Sequence, residues 1–142
     1  MIEVFTDGAC RGNPGPGGWA AVIRDENGER ELSGFDRETT NNRMELSAAI
    51  EALASLPEGA TARVTSDSRY VIDGITKWVV GWKRKNWRKA DGKPVLNLEL
   101  WQKLVAEVDT RKVTWSWVEG HTGHPENERC DQLANEAIDR NL

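Results

Sequence analysis

Two stretches of this 142-residue chain, Ile2-Glu3-Val4-Phe5-Thr6-Asp7-Gly8 and Ala62-Arg63-Val64-Thr65-Ser66-Asp67-Ser68, read as short strands that stop on an aspartate. Between them lies a helical segment with the acid Glu45 near its start. A strand–helix–strand crossover makes its two strands parallel neighbours, so both aspartates leave the sheet at the same end. Carboxylates that converge there repel one another unless a cation lies between them. This one feature commits the chain to a parallel strand pair and to a metal-dependent site.

The remaining pattern builds a sheet around that pair. Strands are predicted over 2–6, 19–24 and 29–35, with Gly8 to Gly18 read as a glycine- and proline-rich turn and Asn27-Gly28 as a hairpin turn. That is an antiparallel meander. The capping cluster Thr39-Thr40-Asn41-Asn42 opens a helix on which Leu46, Ala49, Ile50, Leu53 and Leu56 recur at helical spacing, and Pro57-Glu58-Gly59 ends it. Glu45 then falls in the first turn. Strands over 62–66 and 113–118 are expected to alternate with a short helix broken near Gly74, a helical stretch over 78–85 and a helix over 98–108. A last helix covers 126–140 and carries Asp131 in its first turns. The whole reads as one mixed α/β domain over 1–142, with a basic protrusion at about 77–94.

Asp7, Glu45, Asp67 and Asp131 are the candidate metal ligands. An all-carboxylate set suits a hard cation such as Mg²⁺ or Mn²⁺ rather than zinc. His121 lies between Gly120 and Gly123 in a loop, a setting that suits an exposed proton carrier with a pKa near neutrality.

Charge points to the partner. The chain carries a net −4, which alone argues against a polyanion. Between Lys77 and Lys93, however, seven basic residues face Asp91 alone, so a window of +6 sits on a body of −10. Such a patch attracts phosphates at close range. Trp78, Trp82 and Trp87 are interleaved with Lys83, Arg84, Lys85 and Arg88, and Trp78 and Trp82 lie four apart on one helix face. Indole and cation together suit a surface that grips sugar and phosphate.

No apolar run approaches the roughly 20 residues needed to cross a bilayer. Glu3 and Asp7 stand where a signal peptide would carry basic residues. Cys10 and Cys130 make no disulfide framework, so the expected setting is the cytoplasm with reduced thiols and no membrane partner.

Four longer motifs carry a resemblance. Phe5-Thr6-Asp7-Gly8-Ala9-Cys10 with Gly12-Asn13-Pro14-Gly15, Thr39 through Leu46, Thr65-Ser66-Asp67-Ser68, and Trp117 through His121 with Gly123 through Asp131 stand in the order found in bacterial type 1 ribonucleases H. The chain resembles that family over essentially its whole length. The resemblance implies a ribonuclease H-like fold: a five-stranded mixed sheet, antiparallel meander plus parallel strands, flanked by helices. It implies an endonuclease that cuts the RNA strand of RNA–DNA hybrids and leaves 5′-phosphate and 3′-hydroxyl ends. By the same resemblance Asp7, Glu45, Asp67 and Asp131 hold Mg²⁺, with Mn²⁺ as a substitute and two ions present with substrate. His121 assists proton transfer or product release. Cys10, Asn13, Asn41 and Glu45 lie along the RNA strand, Trp78 and Trp82 pack against DNA sugars, and Thr40 with Asn97 grips a DNA phosphate. A monomer is implied. Two positions depart from the family pattern: Glu38 where a basic residue is expected, and Arg69 where an amide is usual. The competing readings are another nuclease on the same fold and a non-catalytic hybrid-binding module. The second has no use for four acids and a loop histidine.

Overall fold

A computed structural model describes residues 1–120 and 122–142, and His121 lies outside the described residues. Five strands form one sheet in the order β3-β2-β1-β4-β5: β1 Ile2–Cys10, β2 Gly15–Asp25, β3 Gly28–Thr39, β4 Thr61–Ser66 and β5 Lys112–Trp117. The first three are antiparallel, and β1–β4 and β4–β5 are parallel, so the sheet is mixed as expected. Crossover through α1 (Asn41–Ala54) is what makes β1 and β4 parallel neighbours.

Alternation along β1 and β2 divides the core between two faces. Val4, Ala21 and Ile23 join Leu46, Leu53, Trp101 and Leu104 under α1 and α4 (Leu98–Asp109). Phe5, Ala20 and Val22 point the other way, onto Cys130 and Ala134 of α5 (Pro125–Asn141). The inward residues predicted for α1, from Leu46 to Leu56, are all buried. Among the described residues no helix is long and apolar enough to cross a membrane.

Three sequence expectations are corrected. The glycine-rich run is mostly strand: β1 continues to Cys10 and β2 begins at Gly15. The reason is close packing, since a Cβ at Gly18 would lie 2.3 Å from the Ala134 carbonyl oxygen and one at Gly17 2.5 Å from Thr39 Cγ2. Glu45 stands in the second turn of α1, because the helix starts at Asn41 with Thr40 as its cap. Nor does the chain break at Gly74. Helix α2 (Arg69–Asp73) runs through a π-helical turn over Gly74–Trp78 into α3 (Val79–Arg84).

The glycine at 74 answers to Trp101. That indole is fully buried, and its ring centroid lies 5.2 Å from Trp82 and 5.3 Å from Tyr70. A Cβ at Gly74 would sit 2.0 Å from its ring. Helix propensity alone makes Gly74→Ala stabilising by up to about 1 kcal/mol. Overpacking against a fixed ring reverses the sign, and urea denaturation is expected to show a net loss of roughly 1–3 kcal/mol. A gain in stability would mean that Trp101 moves freely.

Candidate active site

Ladder register places the two aspartates. Pairing between β1 and β4 ends at Thr6↔Ser66, so Asp7 and Asp67 are the next residues along each parallel strand. Asp67 leaves its strand there, as expected. Asp7 does not: it stays in β1, paired with Ala20 of β2, and is held from that side. Glu45 arrives from α1, whose backbone presses on β1 at Gly8, where a Cβ would lie 2.5 Å from the Glu45 nitrogen. Gly8 is therefore a packing residue of the site rather than a turn residue. Its only sequence signal is a glycine directly after the strand aspartate.

One carboxylate oxygen from each of Asp7, Glu45 and Asp67 lies within 4.8 Å of the other two. Asp7 and Glu45 are buried and Asp67 is half-buried. They line a cavity of about 290 Å³ together with Gly8, Ala9, Cys10, Asn41 and Asp131. Among the described residues the tight cluster is a trio, with Asp131 of α5 on the wall of the same cavity.

The electrostatics follow from burial. Desolvation, then the charges of Asp67 and Asp131, push the Asp7 carboxyl up to about 8, opposed chiefly by the Gly8 amide. Desolvation and the charges of Asp7 and Asp67 raise Glu45 well above the usual carboxylate range. Glu45 Oε1 is buried without a hydrogen-bond partner among the described residues. Acids left in this condition are the ligands a divalent cation satisfies, and their oxygen-only chemistry fits Mg²⁺ or Mn²⁺.

The predicted substrate-binding residues fall into three groups, of which only Cys10 and Asn41 line the cavity. Cys10 donates to the carbonyls of Thr39 (3.3 Å) and Gly15 (3.5 Å), and the Asn41 amide donates to Asn13 Oδ1 at 3.2 Å. The β1–β2 turn is thereby tied to the start of α1. Thr40 caps α1 by accepting from the Arg43 amide at 3.3 Å. Arg43, which lies inside the Thr39–Leu46 motif but not among the predicted site residues, reaches across to Asn97 Oδ1 at 3.1 Å, and Asn97 Nδ2 donates to the Tyr70 hydroxyl at 3.0 Å. Thr40 and Asn97 are thus linked through Arg43, one at its backbone amide and the other at its guanidinium, which also pairs with Glu99 at 2.5 Å.

The third group is the protrusion. Asn86 and Trp87 both take left-handed backbone (φ 55° and 61°) after α3, and Arg88 pairs with Pro94 to close the loop. Lys83, Arg84, Lys85 and Arg88 are solvent-facing and form no ion pair among the described residues. Trp78 is 40% exposed. Trp82 is largely inward, with its ring between Trp78, Trp87 and Trp101. Expected as a matched pair on one surface, the two indoles divide the work: Trp78 faces outward and Trp82 supports it.

Comparison with known proteins now bears on this arrangement. A family profile for RNase H matches residues 1–139. The chain belongs to the RNase H family. It is 57% identical to the Ribonuclease H of Novosphingobium aromaticivorans, over 96% of this chain and 95% of that protein. It is 58% identical to the Ribonuclease H of Agrobacterium fabrum, over 97% of this chain and 94% of that protein. Among solved structures, LC9-RNase H1, a type 1 RNase H with the type 2 active-site motif, superposes with a TM-score of 0.88 at 35% identity, covering 99% of this chain and 73% of that one. LC11-RNase H1 in complex with an RNA/DNA hybrid superposes with a TM-score of 0.75 at 29% identity, covering 100% and 99%.

The raised Asp7 carboxyl gives this RNase H family member a pH signature. Between about pH 4 and pH 8 the folded, metal-free protein keeps a proton that the unfolded chain releases, so stability falls as pH rises through that range. Asp7→Asn removes the part of this effect that Asp7 contributes. Urea titrations in chelator are expected to show the variant gaining on the parent by at least about 1 kcal/mol between pH 5 and pH 8.5. Mg²⁺ is expected to close the gap. A difference independent of pH would contradict the assignment.

Proposed function

We propose that this RNase H family enzyme hydrolyses the RNA strand of RNA–DNA hybrids in a Mg²⁺-dependent reaction and leaves 5′-phosphate and 3′-hydroxyl ends. The observation that carries this reading is the carboxylate trio of Asp7, Glu45 and Asp67 in a buried cleft, on a chain matched to the family along nearly its whole length. The hybrid bound to LC11-RNase H1, a relative of the same fold, supports the choice of substrate.

Asp7, Glu45, Asp67 and Asp131 would hold Mg²⁺, or Mn²⁺ in its place, with two ions once substrate is bound. When bound, the ions supply Lewis-acid activation of water and charge compensation at the phosphoryl oxygens. The chain's own groups do the rest. Attack of water on phosphorus breaks the bond to the 3′-oxygen, and His121 is the proposed carrier of the proton that moves between cleft and solvent. Cys10 and Asn41 line the cleft and Asn13 is bonded to the Asn41 amide, and these are the proposed readers of the RNA strand, told from DNA by its 2′-hydroxyls. Thr40 and Asn97 are the proposed grip on a DNA phosphate, flanked by Arg43.

Trp78 offers its exposed face to DNA sugars, with Trp82 behind it. Lys83, Arg84, Lys85 and Arg88 supply the field that draws the duplex in. An acidic centre repels phosphates, so affinity has to come from a separate basic surface. The protrusion provides it within the same chain, consistent with action as a monomer.

Cleavage of an end-labelled hybrid is the direct test. Cutting of the RNA strand is expected with Mg²⁺ and none in chelator, and Asp7→Asn is expected to lower kcat by at least about 10²-fold. Activity that survives chelation or the substitution would contradict the reading. Replacing Lys83, Arg84, Lys85 and Arg88 together by Gln is expected to raise KM more than it lowers kcat. The salt dependence of KM should flatten by roughly 0.7–0.9 in log–log slope for each phosphate no longer neutralised. An unchanged KM would remove the protrusion from substrate binding.

A further inference from the structure

Asp67 is the least anchored member of the carboxylate trio. Asp7 lies within a strand hydrogen-bonded on both sides, and Glu45 is fixed on a long helix. Asp67 stands one residue beyond two ladders, since β1–β4 pairing ends at Ser66 and β4–β5 pairing ends at Ser66↔Trp117. The last main-chain bond there runs from the Val118 amide to the Ser66 carbonyl at 3.0 Å. Past that point sheet geometry no longer sets the peptide on which Asp67 rides.

Side chains take over where the ladder stops. The Trp117 indole Nε1–H donates to the Asp67 carbonyl at 3.1 Å. The Arg69 guanidinium lies over the Trp117 ring, 3.9 Å from its centroid, and 3.9 Å from Asp73 one helical turn on. On the carboxylate side, the backbone at Gly120 approaches so closely that a Cβ would sit 2.6 Å from Asp67 Oδ2. Behind the residue, the Ser68 amide donates to Ser66 Oγ at 3.0 Å, and Ser68 Oγ caps α2 by accepting from Val71 at 3.2 Å. Trp117 is 38% exposed and belongs to neither core cluster, so packing does not account for an indole at this place.

We propose that Trp117, braced by Arg69, is a positioning residue that fixes the Asp67 peptide and so aims the Asp67 carboxylate at the metal. The inference rests on the reading of Asp67 as a metal ligand. Hydrogen bonds that orient ligands from behind characteristically change metal affinity or activity by about 10- to 100-fold when removed. Among the described residues Arg69 forms no ion pair with the trio. It holds the indole plane, and through it the donor direction.

Trp117→Phe keeps a ring for Arg69 to cover and deletes only the donor. Calorimetric titration with Mg²⁺ alone, without nucleic acid, is expected to show the dissociation constant raised roughly 10-fold. With hybrid present, kcat at limiting Mg²⁺ is expected to fall in proportion and to recover at high Mg²⁺, with KM for hybrid unchanged. Arg69→Gln should shift the Mg²⁺ constant in the same direction by less. An unchanged Mg²⁺ constant overturns the proposal, and so does a raised KM at unchanged Mg²⁺ affinity, which would make Trp117 a substrate-binding residue. In the parent protein the Trp117 indole N–H resonance is expected to move with Mg²⁺ at the calorimetric midpoint; a resonance that stays still overturns the proposal even if the variant folds poorly. Because the metal titration needs no cleavage, failure of the hybrid-cutting reading remains a separate outcome.

Discussion

Mutual repulsion among three acids in a partly dry cleft is the constraint on which the rest of the structure depends. Asp7, Glu45 and Asp67 share a space that puts their oxygens within 4.8 Å, and burial and neighbouring charge force the Asp7 carboxyl up to about 8. A flexible chain would relax such a cluster. Here it cannot, because β1 is bonded to strands on both sides and α1 is pressed onto β1 at a glycine. The cleft is an unfavourable arrangement maintained by favourable packing elsewhere, as functional sites often are. What the fold gives up in stability at this point is available to a cation that binds the folded state alone.

The same repulsion shapes the surface. An acidic centre that must admit a polyanion needs an attractive field beside it, and a chain of net −4 has no general positive charge to offer. The proposed solution is local. Lys83, Arg84, Lys85 and Arg88 stay solvent-facing and without ion pairs among the described residues, while other arginines are neutralised in pairs such as Arg24–Glu29, Arg63–Glu3 and Arg129–Glu29. Trp101 connects this surface to the core, since its ring packs beneath Trp82 and its indole N–H donates to the Tyr70 hydroxyl that also receives Asn97.

Much of the frame was legible in the sequence because it is written in periodicity. Alternation in β1 and β4, the helical recurrence from Leu46 to Leu56 and the β2–β3 hairpin, whose turn falls one residue earlier than expected at Glu26-Asn27, each carry their own local signal, and the crossover rule converts the strand and helix signals into a shared end for Asp7 and Asp67. The misread parts depend on packing between distant segments. Gly8, Gly17 and Gly18 look like turn residues until α1, Thr39 and α5 are found against them. The π-helical turn at Gly74 reflects the Trp101 ring, 27 positions away in the sequence and invisible in the local pattern. Trp78 and Trp82 share a helical spacing, yet only the tertiary fold separates the exposed ring from the supporting one. Arg43 and Trp117 lie inside the matched motifs, but nothing local there signals what they hold, and their contacts emerge only in the bonds to Asn97 and to the Asp67 carbonyl.

The central claim is that folding holds Asp7 and Glu45 partly protonated, against burial and neighbouring charge, for a divalent cation. Proton release on metal binding measures it most directly. Mg²⁺ titrated calorimetrically at pH 7 into the protein without nucleic acid, in buffers of different ionisation enthalpy, should expel protons from the cluster as the ion displaces them. The account predicts a release that shrinks as pH approaches and passes 8 and is reduced in Asp7→Asn. Mg²⁺ binding with no proton release at pH 7, or no binding at all, would contradict it.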